Sequence, residues 1–85
     1  MTRTRRAILD LLAEKAMSFD EIYSKLKKKG VVGKEGINQW NVAKSLAALN
    51  WQAYIYTLSE DKGKLYCLDI DGKVYLKQAK IMEDL

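Results

Sequence analysis

The chain has 85 residues, 48% of them hydrophobic, with no proline, five glycines, one cysteine and a formal net charge of +4. This bounds it to one small domain, near the size at which a single core is just adequate, and excludes the composition of a disordered linker protein. A lone Cys67 cannot close an intramolecular disulfide, which points to a reducing cytoplasm, and no apolar run approaches the roughly 20 residues that span a bilayer.

The charge is unevenly placed. Residues 1–34 carry nine of the fifteen cations and four of the eleven acids, and the rest of the chain is slightly acidic. A basic half suits a polyanion such as nucleic acid, and it also suits plain solubility. The chain starts "MTRTRRAILDLL", basic and then apolar, but Asp10 and Glu14 interrupt the apolar part and no small-residue cleavage site follows. It reads as helix 1, residues 3–16, capped by Thr2 or Thr4. Ile8, Leu11 and Leu12 mark its buried stripe, with Leu9 and Ala16 on the flank.

"MSFDEI" is the clearest local signal. Ser18 followed by Glu21 makes a capping box, and Met17 with Ile22 makes the matching hydrophobic staple. Helix 2 therefore starts at Phe19, with Phe19, Ile22, Tyr23 and Leu26 at the spacing of one helical face. Lys27, Lys28 and Lys29 suit a helix C-terminus, and Gly30 suits the position after it. "GVVGKEGI" spaces Gly30, Gly33 and Gly36 in a way that hints at a phosphate loop. It lacks Gly-Lys-Ser/Thr and the preceding strand, so it reads as a turn. Helix 3 follows over 38–49, capped by Asn38, with Asn50 in the left-handed position at its end. Val42, Leu46 and Leu49 form its buried stripe. At about 100° per residue, Trp40, Asn41, Lys44, Ala47 and Ala48 face outward.

The period then changes. "AYIYTL", 53–58, and "LYCLD", 65–69, read as two strands joined by the polar turn "SEDKGK", a hairpin with a charged tip. The final segment has two readings. Asp71-Gly72 could turn into a third strand, "KVYLK". Alternatively Asp69 caps a helix from 70 to 84 whose buried stripe is Ile70, Val74, Ile81 and Leu85. The longer periodic match favours the helix, and it leaves Leu76 exposed on the opposite side.

Three helices, a hairpin and a fourth helix, in that order, resemble the winged helix-turn-helix family, an α+β fold. The resemblance rests on "MSFDEIYSKL", "NVAKSLAALN" and "YIYTLSEDKGKLYCLDIDGKVYL", and covers nearly the whole chain. "YCLDIDGKVYL" is similar to the Tyr-x-Leu-Thr-x-x-Gly-x-x-Tyr-Leu pattern that opens the last helix of many small regulators, with Asp69 in place of Thr. Two features depart from the family: about eight residues join helices 2 and 3, where compact units use three or four, and helix 3 holds one cation, Lys44.

The resemblance implies binding of double-stranded DNA, with helix 3 in the major groove and the hairpin wing on the adjacent backbone. Gln39, Asn41, Lys44 and Ser45 are then the candidates for base contact. Arg3, Arg5, Arg6, Lys34, Lys62 and Lys64 are the candidates for phosphate contact, ahead of Lys27 and Lys28 on helix 2. It also implies a homodimer through the C-terminal helix, using Leu76, Met82 or Leu85. The alternative is a protein adaptor that docks through the Trp40 face of helix 3. Trp40 itself has three readings: packed under the glycine-rich turn, part of a protein interface, or set against sugar or bases. Trp51 reads as structural. Tyr54 and Tyr56, placed on one strand face, suit aromatic packing or stacking on single-stranded bases. With no histidine, and with Cys67 inside a strand and away from any evident base, no catalysis, metal or cofactor is expected.

Overall fold

A computed structural model of the chain describes residues 1–30 and 38–85. The elements are α1 (Arg3–Glu14), α2 (Phe19–Lys28), α3 (Gln39–Trp51), β1 (Ile55–Glu60), β2 (Gly63–Leu68) and α4 (Ile70–Glu83). The glycine-spaced turn and Lys34 lie outside the described residues.

Each helix starts where a side chain satisfies its orphan amides. Thr2, not Thr4, caps α1 and accepts from the Arg5 amide at 3.2 Å. Ser18 Oγ accepts from the Glu21 amide at 3.2 Å, and Asn38 Oδ1 from the Asn41 amide at 2.8 Å. The Glu21 carboxylate reaches Lys15 at 2.8 Å and Lys25 at 3.7 Å, so it clamps the helix 2 entrance by charge. Met17 and Ile22 are both fully buried, as the staple requires. Gly30 ends α2 at φ 64°, a left-handed conformation that glycine adopts without strain.

The core forms where the four helices meet the hairpin. Leu9 is as buried as Ile8, Leu11 and Leu12, rather than flanking them, and with Ile22, Leu26, Val42, Leu46, Leu49, Ile55 and Leu76 these residues form one cluster. Each such side chain stabilises the fold by about 1.5–3 kcal/mol when fully buried. Helix α1 ends at Glu14, two residues earlier than its sequence pattern, which leaves Ala16 exposed. Met17 then pairs antiparallel with Tyr66 of β2: its amide donates to the Tyr66 carbonyl at 3.1 Å and its carbonyl accepts from the Tyr66 amide at 2.8 Å.

Helix α3 runs to Trp51, and Ala53, not Asn50, takes the left-handed conformation at φ 61°. The chain reversal therefore falls later than expected, and β1 begins at Ile55 rather than at 53. The ladder runs from Ile55↔Leu68 to Glu60↔Gly63. The tip is thus only Asp61-Lys62, and Ser59, Glu60, Gly63 and Lys64 belong to strands.

The last segment is a helix. Asp69 Oδ1 accepts from the Ile70 amide at 2.7 Å. Its facing is the reverse of the sequence expectation. Gly72 and Leu76 are buried, whereas Ile70, Val74, Ile81 and Leu85 are 71%, 47%, 56% and 98% exposed. The cause is Gly72. A Cβ there would collide with the Tyr54 carbonyl oxygen and lie 2.6 Å from Leu68 Cδ1. Without a side chain, this face of α4 lies directly on the backbone of the hairpin, and Leu76 follows it into the core. Tyr75 packs on Tyr54 at 5.7 Å between ring centroids, and Arg6 joins α1 to Glu83 at 2.6 Å. Leu76, at 4% exposure, is a core residue and is withdrawn from the dimer candidates.

Candidate nucleic-acid interface

The buried stripe Val42, Leu46 and Leu49 fixes which way α3 faces. Gln39, Trp40, Ala43, Lys44, Ala47, Asn50 and Trp51 are exposed; Asn41, Ser45 and Ala48 are half-buried. At 3.6 residues per turn the exposed residues span an arc of about 140°. The arc is rotated from the expected one: Asn41 and Ala48 turn towards the core, and Ala43 and Asn50 come out.

Of the base-contact candidates, Gln39 and Lys44 lie on the open face, with Asn41 and Ser45 at its edge. Trp40 is 71% exposed; the turn it was expected to pack under lies outside the described residues. Trp51, expected to be structural, is 91% exposed. Ending the helix at 49 hid it. Counting on from Trp40 by four, seven and eleven residues gives Lys44, Ala47 and Trp51, one line down the outer face. The sequence held that signal.

The cations divide in two. Among the described residues no ion pair engages Arg3, Arg5, Lys44, Lys62 or Lys64. Arg3 lies at the open start of α1. Lys62 is at the wing tip, and Lys64 in β2 lies over the Tyr66 ring at 6.0 Å. Arg6 is different. It bonds Glu83 at 2.6 Å and Asp10 at 3.4 Å, which raises its already high pKa and holds the Glu83 carboxyl below the usual carboxylate range. Structurally it is a clasp between α1 and α4. Lys27 is turned onto the Tyr23 ring at 5.3 Å.

On the wing, Tyr54 and Tyr56 part company. Tyr54 precedes β1 and is half-buried against Tyr75, whereas Tyr56 is exposed and faces Cys67 across the ladder. The neighbouring Cys67, together with burial, pushes the Tyr56 hydroxyl up. Cys67 itself is buried as a small apolar residue. Among the described residues no group of three or more His, Cys, Asp or Glu is placed to hold a metal, and no helix is long and apolar enough to cross a membrane.

Three helices with a hairpin after the third, its second strand bridged to the α1–α2 connection, define a winged helix-turn-helix fold. The same fold is seen in a transcriptional regulator from Clostridium thermocellum, which superposes with a TM-score of 0.78 over 95% of this chain and 80% of that one, at 22% sequence identity. No protein-family model and no curated protein matches the sequence.

Proposed function

We propose that the chain is a double-stranded DNA-binding transcriptional regulator, acting in the cytoplasm without catalysis or cofactor. Helix α3 enters the major groove, and the wing β1–β2 lies on the adjacent backbone. The observation that carries this reading is the facing of α3: one stripe is locked into the core while an uninterrupted outer arc stands free. The regulator of the same fold adds support. Gln39 and Lys44, with Asn41 and Ser45 beside them, are the base contacts. Arg3, Arg5, Lys62 and Lys64, together with Lys34, are the phosphate contacts, which set position and register. Arg6 serves the fold instead.

The same reading includes a homodimer through α4. Met82 and Leu85 are 73% and 98% exposed, and Ile70, Val74 and Ile81 join them on an apolar surface that would otherwise face water. A second reading, a protein adaptor, is favoured by the two indoles at 71% and 91% exposure on α3, since tryptophan is enriched at protein interfaces.

Salt separates the two. Anisotropy of a labelled mixed-sequence duplex, titrated at low and moderate salt, should show binding that weakens by orders of magnitude, because each neutralised phosphate releases counterion. Absence of binding at low salt sinks the DNA reading and leaves the α3 face to a protein.

A further inference from the structure

We infer that the outer face of α3 selects thymine methyl groups, so that the DNA it takes is an A·T-rich duplex. The inference rests on the DNA reading above and adds the substrate class to it.

The seven exposed positions of α3 comprise four apolar residues (Trp40, Ala43, Ala47 and Trp51), two amides (Gln39 and Asn50) and one cation, Lys44. Each base edge in the major groove asks for a particular chemistry. Guanine O6 and N7 are met by Arg or Lys, cytosine N4 by a carboxylate, adenine N6 and N7 by Asn or Gln, and the thymine methyl by an apolar side chain. This face carries no arginine and no carboxylate. It has no anionic acceptor for cytosine and a single cation, Lys44, for guanine. Both amides match adenine.

The apolar residues point the same way by exclusion. A methyl, or the flat face of an indole, pressed against the hydrogen-bonding edge of a G·C pair would strip water from polar atoms and return no bond. Against the C5-methyl of thymine it buries apolar surface on both sides. Ala43 and Ala47 are short enough to let the helix backbone approach the bases. Trp40, with only two side-chain torsions, supplies a rigid apolar plate at the N-terminal end, where recognition helices meet base edges.

The test uses the full chain at one low salt concentration, with three duplexes of equal length: alternating dA·dT, the same with dU replacing dT, and alternating dG·dC. Replacing dT by dU removes only the methyl and keeps every hydrogen-bonding edge and phosphate. Each methyl buried contributes about fourfold in affinity, so loss of two or more should weaken binding by about tenfold or more. The expected order is dA·dT tightest, with dU and dG·dC both weaker. Trp40→Ala, an exposed substitution whose folding is checked by circular dichroism, should shrink the dT-to-dU ratio.

Equal affinity for the dT and dU duplexes, or dG·dC bound as tightly as dA·dT, overturns the inference while leaving duplex binding in place. An unchanged dT-to-dU ratio in Trp40→Ala overturns the part assigned to Trp40. No binding to any of the three duplexes removes the DNA reading itself.

Discussion

Replacing Gly72 by alanine tests the packing that orients α4. The added methyl collides with the Tyr54 carbonyl oxygen and lies 2.6 Å from Leu68 Cδ1, both far inside ordinary contact. The carbonyl cannot readily retreat. It accepts from the Asp69 amide at 3.0 Å, and the Tyr54 amide donates to the Leu49 carbonyl at 3.0 Å, so the backbone is tied on both sides. Overpacking of this kind costs about 1–3 kcal/mol, and the tethered backbone places this site towards the upper end. Alanine returns up to about 1 kcal/mol through helix propensity. The net expectation is a loss of about 2 kcal/mol, or about 8–16 °C in melting temperature for a domain of this size. Urea and thermal unfolding, followed by circular dichroism, would measure it. A Gly72→Ala protein as stable as the parent, or more so, would refute the close approach and with it the stated orientation of α4. Gly30→Ala is the comparison: its φ of 64° is strained for alanine but nothing among the described residues lies within 4 Å, so the conformational cost of about 1–2 kcal/mol is the one expected.

Other expectations are simpler to state. Leu76→Ala should cost about 2–5 kcal/mol, as a core truncation does, whereas Ile81→Lys should leave a monomer's stability within about 0.5 kcal/mol and abolish the proposed dimer in equilibrium ultracentrifugation. The carboxyls of Glu83 and Glu21 are held below their ordinary value of 4.5, by Arg6 and by Lys15 respectively. A folded-state pKa below the unfolded one means stability that is complete above about pH 4.5 and lost as pH falls through the folded value. Glu83→Gln should therefore flatten the acid limb of a stability-against-pH curve, and an unaltered limb would remove the clasp from the account. In the binding assay, Arg3→Ala and Arg5→Ala should each reduce the salt slope by about one unit without altering base preference; an unchanged slope would take that residue off the phosphate backbone.

Local signals were read well from the sequence because they involve residues three or four apart. Ser18 and Glu21, Asn38, Asp69 and Gly30 each mark a helix boundary through bonds made within one turn, and those boundaries hold. The facing of α4 was not legible, for a definite reason. The helix is apolar on two sides, and periodicity assigns the richer side, Ile70, Val74 and Ile81, to the core. What decides the matter is a glycine whose missing side chain meets a carbonyl eighteen positions back in the chain. The same holds for Arg6. As a cation near the N-terminus it resembled Arg3 and Arg5, and only the approach of Glu83 from the far end of the chain separates them. On α3 the buried stripe is legible, but the outer arc is rotated from the expected one, with Asn41 and Ala48 turned towards the core and Ala43 and Asn50 exposed, and Trp51 joins it because the helix continues past Leu49.

The pairing of Met17 with Tyr66 has a dynamic consequence. The two backbone bonds close a loop of chain that contains α2 and α3 entirely, and they cover one edge of a hairpin that would otherwise be a free ribbon. An isolated two-stranded hairpin is marginal in water. Here its inner strand is held by the same connection that launches α2, so the wing cannot detach without loosening the helices. The Met17 and Tyr66 amides should therefore exchange with solvent only through the largest, cooperative openings of the domain, on the timescale of global unfolding rather than of loop motion. The hairpin and the helices it is tied to thus move as one piece, at a spacing set by the folded chain.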